Sequence, residues 1–225
     1  MLNILKGWFG EKVTQFGMWT HLDSEIYMRF HNIIIPTSNG TTQVDHILIS
    51  CFGIFVVETK NIDGWIFGNE KSKIWTQSLY GKKFKFQNPL HQNYRHTKAV
   101  AQFLNVDERK IHSVIFFIGE NTKLKTELPH NVMTRGLTRY IKSFETLVLT
   151  GSEVNDLCDQ IKKLKDGNVS NRDHVAALKN RYSSNTICPK CSEALVIRTV
   201  KKGPNTGNQF LGCSGFPKCR FTRKI

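Results

Sequence analysis

The chain has 225 residues, 40% of them hydrophobic, with a formal net charge of +14 and a pI near 9.6. Length and apolar content suit one domain of about 150 residues plus a smaller module, and the charge points to a polyanionic partner, nucleic acid or an anionic surface, rather than to a generically basic soluble protein. The longest apolar run, "ILISCFGIFVV" at 47–57, falls short of the roughly 20 residues of a spanning helix, and "MLNILKGWFGEK" lacks the apolar stretch and cleavage site of a secretory leader; a cytoplasmic protein without stable membrane insertion is expected.

In chain order, the sequence predicts a helix over 7–20, with Val13, Phe16 and Met18 or Trp19 on its apolar face, then a strand over 25–36 and a turn at "SNG". Strands over 42–50 and 53–60 are joined at "SCFG". After a turn at "NIDG", "WIFGN" and "IWTQSLYG" read as strands. "NPLHQNYRHTKAVAQFLN" reads as a helix with Pro89 in its first turn and Leu90, Tyr94, Thr97, Ala101 and Leu104 at helical spacing. "HSVIFFIG" at 112–119 is a short apolar run bounded by glycine, hence a buried strand. Ser152 is the expected cap of a helix carrying Val154, Leu157, Cys158, Ile161 and Leu164, and "SNRD" at 170–173 opens another through Arg181. The order implies a mixed α/β domain over 1–150, a helical extension with its linker over 151–185, and a cysteine module over 186–225.

The hairpin "QVDHILISCFGIFVVETKN", 43–61, sets charges in an apolar sheet. A two-residue loop at Cys51 and Phe52 puts Asp45 opposite Glu58 and Ile47 opposite Val56, and opposed residues of an antiparallel pair share a face. Glu58 and Lys60, two apart, share it too. A three-residue loop would break the patch, because one residue of slip flips the face. Facing carboxylates repel, and burying them unpaired costs several kcal/mol. A divalent cation bound by carboxylate oxygens, waters and a substrate phosphate removes both objections. It would also activate a water and stabilise charge on a phosphodiester, with Lys60 assisting. The same three residues also suit a plain ion pair at a sheet edge.

Four of the six cysteines lie in the last 38 residues, as CPKC at 188–191 and CSGFPKC at 213–219, with 21 residues between the pairs. In a reducing compartment such clustering favours metal over disulfides. Cys188, Cys191, Cys213 and Cys219 make a closed tetrahedral thiolate set for structural Zn²⁺, and a module this small needs the metal to fold. From Cys188 onward there are eight Lys or Arg against one Glu, interleaved with Phe210, Phe216 and Phe221. Cations neutralise phosphates and rings stack on unpaired bases, although Phe210 and Phe221 also suit a small core. The candidate DNA contacts are Arg198, Lys201, Lys202, Phe210, Lys218, Arg220, Arg223 and Lys224.

The stretch "CPKCSEALVIRT…GNQFLGCSGFPKCRFTRKI" resembles the zinc ribbon repeated at the C-terminus of bacterial type I DNA topoisomerases, over about 186–225. The resemblance implies DNA binding, including single-stranded DNA, but not topoisomerase activity. "NGTTQVDHILIS", "GIFVVETKNIDGWIFGN", Trp75 and "FQNPLHQNYRH" resemble the nuclease-related domain, a branch of the PD-(D/E)xK nuclease superfamily, over roughly 8–120. That implies a restriction-endonuclease-like αβββαβ core with a mixed sheet. Asp45 and Glu58 would hold Mg²⁺ or Mn²⁺, and Lys60 would assist the water. Glu11 on the first helix would be a third carboxylate, and Gln92, with His96 one turn on, would touch phosphate or metal-bound water. Val44 stands where the superfamily often has proline. The expected function is metal-dependent hydrolysis of DNA, in processing, repair or defence against foreign DNA. An RNA nuclease and an inactive DNA-binding or assembly protein on the same fold are the alternatives.

Overall fold

The computed structural model describes residues 22–37, 40–167, 184–189, 193–217 and 219–225. The expected helices over 7–20 and from 170 onward lie outside these, as do Glu11, Cys191 and Lys218. The described residues form two compact units, one comprising 22–35 and 43–167, the other 36–37, 40–42 and those from 184 on.

Up to residue 167 the elements are β1 (Met28–Thr37), β2 (Gly40–Ser50), β3 (Gly53–Lys60), β4 (Trp65–Phe67), β5 (Ile74–Leu79), β6 (Lys82–Gln87), α1 (Pro89–Leu104), β7 (Ile111–Phe117), β8 (Lys123–Leu124), β9 (Val132–Met133), α2 (Leu137–Lys142) and α3 (Gly151–Asp166). Five strands make a mixed sheet in the order β1-β2-β3-β7-β9. β2 and β3 are antiparallel, whereas β3 with β7 and β7 with β9 are parallel. A parallel neighbour needs a crossover, and the chain between β3 and β7 provides it through α1. The fold class is mixed α/β, as the sequence predicts.

The central strand β3 is buried from Gly53 to Thr59, as a near-continuous apolar run in a covered sheet should be. Its side chains alternate between two layers. Ile54 and Val56, with Ile47 and Ile49, pack on Ala99, Val100 and Leu104 of α1 and on Val154, Leu157 and Ile161 of α3. Phe55 and Val57, with Leu48 and Val114, pack on Leu137 and Ile141 of α2. The β2–β3 loop has the expected length: His46 faces Val57, Ile47 faces Val56 and Ser50 faces Gly53. Gly53 has φ +127°, and a Cβ there would meet His112 Nε2 at 2.7 Å and Lys110 O at 2.9 Å, so only glycine closes the turn unstrained. The backbone N–H groups of Val148 and Leu149 both donate to Cys51 O, at 2.9 and 3.1 Å, and pin the loop.

Two helices differ from the sequence reading in detail. On α1, Tyr94 is exposed, and the buried stripe runs through Asn93, His96, Val100 and Leu104. Asn93 faces the sheet because the sheet takes its amide donor: Asn93 Nδ2 donates to Val56 O at 2.8 Å, Ser113 Oγ at 2.9 Å and Val114 O at 3.2 Å. On α3 the cap is Thr150, not Ser152. Thr150 Oγ1 accepts from Glu153 N and the Glu153 carboxylate accepts from Thr150 N, a complete capping box.

The expected strands at "WIFGN" and "IWTQSLYG" belong to a separate four-stranded sheet in the order β6-β5-β4-β8. Its inner face buries Ile66 and Trp75 against Ile115, Phe117 and Val132. Gly68 lies against the Trp75 ring so closely that a Cβ would stand 2.2 Å from it. Asn88 caps α1 by accepting from Leu90 N, and its amide donates to Asn69 O, Glu70 O and Ser72 O, joining helix to sheet.

The smaller unit holds β10 (Leu195–Thr199), β11 (Gln209–Cys213) and β12 (Thr222–Lys224), paired antiparallel in sequence order. Cys188, Leu195 and Cys213 are its buried centre, with Leu211, Cys219 and Phe221 packed around them. Among the described residues no helix is long and apolar enough to cross a membrane.

Candidate functional site

The face of β3 that carries Ile54 and Val56 continues into Glu58 and Lys60. α1 covers this face, and its first turns place Gln92 and His96 over the strand's end. Lys60 Nζ donates to Glu58 Oε1 and to Gln92 Oε1, the latter at 3.0 Å. His96 Nδ1 lies 3.8 Å from Glu58 Oε2. Glu58 is 2% exposed and His96 6%, so a carboxylate sits in the protein interior with an ammonium and an imidazole beside it. Burying such a charge is expensive unless it is paired and hydrogen-bonded.

Asp45 lies on β2 just before the ladder's last pair, His46 with Val57; the expected pairing with Glu58 is not part of the ladder, and Asp45 reaches β3 at Thr59 instead. Its carboxylate is held from one side: Thr59 N donates to Oδ2 at 2.8 Å and Thr59 Oγ1 donates to the same atom at 2.9 Å. Oδ1 takes neither bond. Thus Glu58, Lys60 and Gln92 form one bonded group with His96 beside it, and Asp45 is fixed on the adjoining strand through Thr59 rather than by a bond to Lys60. The donor set of Asp45 and Glu58 is hard carboxylate oxygen, which suits Mg²⁺ or Mn²⁺. His96 was named beside Gln92, whereas Thr59 was not among the expected site residues. Thr59 sits between two of them, and only the strand geometry reveals its bond to Asp45.

Next to Asp45 on β2, His46 meets His31, with their Nδ1 atoms 2.7 Å apart. Burial lowers the pKa of His46 to about 3, with the neighbouring His31 adding to the shift. Burial also lowers His31 to about 4, assisted by Arg29 and Lys165. One ring therefore donates to the other, both neutral.

In the smaller unit the sulfurs of Cys188, Cys213 and Cys219 lie within 4.8 Å of one another, and Cys188 Sγ and Cys219 Sγ are 3.7 Å apart. Zn–S bonds of about 2.3 Å give a tetrahedron whose S···S edge is about 3.8 Å, whereas a disulfide needs about 2.05 Å. The three thiols thus have the spacing of zinc ligands, consistent with structural zinc. Gly215 N donates to Cys213 Sγ at 3.3 Å, the polarising contact that a thiolate turn supplies. Arg198, Phe210 and Lys224 stand in one row across the three strands. Arg198 also donates to Cys213 O, and Arg223 to Ser184 O and Asn185 Oδ1, so both brace the fold. Phe221 joins the core. Lys201, Lys202, Arg220 and Lys224 are exposed.

Comparison with known proteins agrees with both halves. Residues 6–118 match the family described as Nuclease-related domain, and residues 185–225 match the Topoisomerase DNA binding C4 zinc finger. An uncharacterized protein of Bacillus anthracis is 37% identical over 186 residues, 79% of this chain and 86% of that protein. DNA topoisomerase 1 of Mycoplasmoides gallisepticum is 44% identical over 106 residues, 45% of this chain but 14% of the topoisomerase. The Escherichia coli protein YrdD, also uncharacterized, is 48% identical over 42 residues, 19% of this chain and 21% of YrdD. No solved structure matches.

Proposed function

The chain belongs to the nuclease-related domain family, and from that premise we propose that it is a metal-dependent nuclease that hydrolyses DNA phosphodiester bonds. The observation that carries this reading is the bonded group of Glu58, Lys60 and Gln92 at the end of β3, with Asp45 of β2 held by Thr59 of the same strand. Asp45 and Glu58 would hold Mg²⁺ or Mn²⁺, which when bound supplies a more acidic water and positive charge for the phosphodiester in flight.

The chain's own residues supply positioning. Thr59 fixes Oδ2 of Asp45 and leaves Oδ1 directed by that grip. Gln92 holds the Lys60 ammonium from the helix side, so the lysine is placed to donate to an attacking water or to a phosphoryl oxygen. The zinc ribbon retains the DNA through exposed Lys201, Lys202, Arg220 and Lys224. A second reading, an inactive DNA-binding protein, draws on the Glu58–Lys60 ion pair, which neutralises the buried charge without any chemistry.

A cleavage assay separates the two. Labelled single- and double-stranded DNA and matched RNA are incubated with metal-free protein, and Mg²⁺ or Mn²⁺ is then added. DNA cleavage is expected on metal addition, and Asp45→Ala or Lys60→Ala should abolish it with DNA binding changed less than about twofold. Cleavage by the double variant at the wild-type rate would remove the proposed site.

A further inference from the structure

The outer face of the second sheet is used neither by the core nor by the site above. Along β4 the chain alternates, with Ile66 buried and Trp65 and Phe67 50% and 38% exposed. Cross-strand partners share a face. Trp65 is partnered by Ser78 on one side and Lys123 on the other, and Ser78 by Lys83. Phe67 is partnered by Thr76, and Thr76 by Lys85. Lys125 lies two residues beyond Lys123, with its ammonium 4.3 Å from the centre of the Trp65 ring. Two exposed rings thus lie on an inner strand, flanked by lysines from both sides of the sheet. Strands β4, β5, β6 and β8 contain no acidic residue.

The β5–β6 turn adds an independent sign. Tyr80 is 95% exposed at φ 49°. Asn or Gly would hold this turn with less strain, and no packing repays a tyrosine there.

We propose that this face is a platform for single-stranded DNA, with Trp65 and Phe67 stacking on successive bases and the flanking lysines neutralising phosphates. Rings two residues apart on a strand stand about 6.6 Å from each other, a spacing open to two unstacked bases. Aromatic side chains on a four-stranded sheet are an established way to hold unpaired bases, and stacking tolerates any sequence. An incoming base takes the place of the Lys125 ammonium on Trp65 and frees that charge for phosphate. Duplex DNA keeps its bases stacked and offers only phosphates, so the rings discriminate between the two forms. An anionic bilayer would meet the same lysines, but Trp65 and Phe67 lie inside the sheet rather than on a protruding tip. The choice of DNA rests on the nuclease reading, whereas the platform itself requires no cleavage.

The test uses the zinc-loaded full chain without added Mg²⁺ or Mn²⁺, so it reads binding whether or not the protein cuts. A 20-nucleotide oligothymidylate carrying 5-iododeoxyuridine is photo-crosslinked and the adducts are mapped by mass spectrometry. Adducts on Trp65 or Phe67 are expected, and adducts confined to the ribbon would overturn the proposal. In parallel, Trp65→Ala/Phe67→Ala should weaken single-strand binding roughly tenfold and duplex binding less than twofold, given typical stacking contributions. Equal losses on both forms would count against it, as would sedimentation with phosphatidylserine vesicles that depends on Trp65 and Phe67.

Discussion

Among the described residues Glu58 makes a heavy demand on the larger unit, because a carboxylate 2% exposed must be matched by charge or hydrogen bonds. Lys60 supplies the charge, and the sheet and α1 hold the lysine in turn. The His31–His46 pair is a different case, with no charge and a consequence for pH. Both folded pKa values lie below the ordinary 6.5, at about 4 and about 3. Between those values and 6.5 the unfolded chain binds more protons than the native one. The pair's contribution to stability is therefore complete above pH 6.5 and is lost as pH falls towards 3. Urea unfolding should give lower stability at pH 5 than at pH 7, with a slope of at most about 1.4 kcal/mol per pH unit for each proton taken up. His31→Gln/His46→Gln should flatten that slope. An unchanged slope would mean that the rings titrate normally.

At the scale of elements, α1 is joined to the sheet by polar groups as much as by apolar ones. Asn93 bonds to carbonyls of both β3 and β7, and Asn88 ties the helix N-terminus to the 69–72 turn. Asn93→Ala should cost about 1–3 kcal/mol in chemical denaturation, since it strips donors from buried acceptors. It should also lower any cleavage activity, because the same helix carries Gln92. These joints explain what the sequence conceals. The helix was readable from Pro89 and its period, but its inward face was not, because the partners of Asn93 are backbone carbonyls 20 or more residues away. The β2–β3 register was readable because the loop length and the alternation of apolar residues agree. The second sheet was not, because period-2 alternation shows that a strand has two faces but not which sheet it joins. The strands of only two residues, β8 and β9, leave too short a pattern to detect.

For the molecule as a whole, the two units depend on different sources of stability. The larger holds extensive buried clusters on both faces of its main sheet. Among its described residues the smaller has a single buried hydrophobic cluster centred on Cys188, Leu195 and Cys213, so its order should depend on zinc. A strong zinc chelator should expose the chain from residue 184 onward to proteolysis while leaving the 22–167 portion resistant and folded. Joint unfolding of both parts would mean that they are one cooperative unit. The resemblance of the cysteine pattern to the ribbon was legible because thiolate spacing is local in sequence. The bracing roles of Arg198 and Arg223 were not, because both depend on contacts that form only when the strands pair.

The Glu58–Lys60 contact means that the larger unit carries its own counter-ion. Folding then need not wait for a divalent cation, and the proposed cation, on binding Glu58, would exchange one positive charge for another rather than fill an empty anionic hole. Lys60→Met exposes the arrangement: with chelator present the variant should lose about 3–5 kcal/mol of stability, as when one partner of a buried pair is removed. Added Mg²⁺ should restore part of that loss and raise the melting temperature of the variant more than that of the wild type. Equal shifts in the two proteins would show that the lysine and the metal do not compete for the same carboxylate.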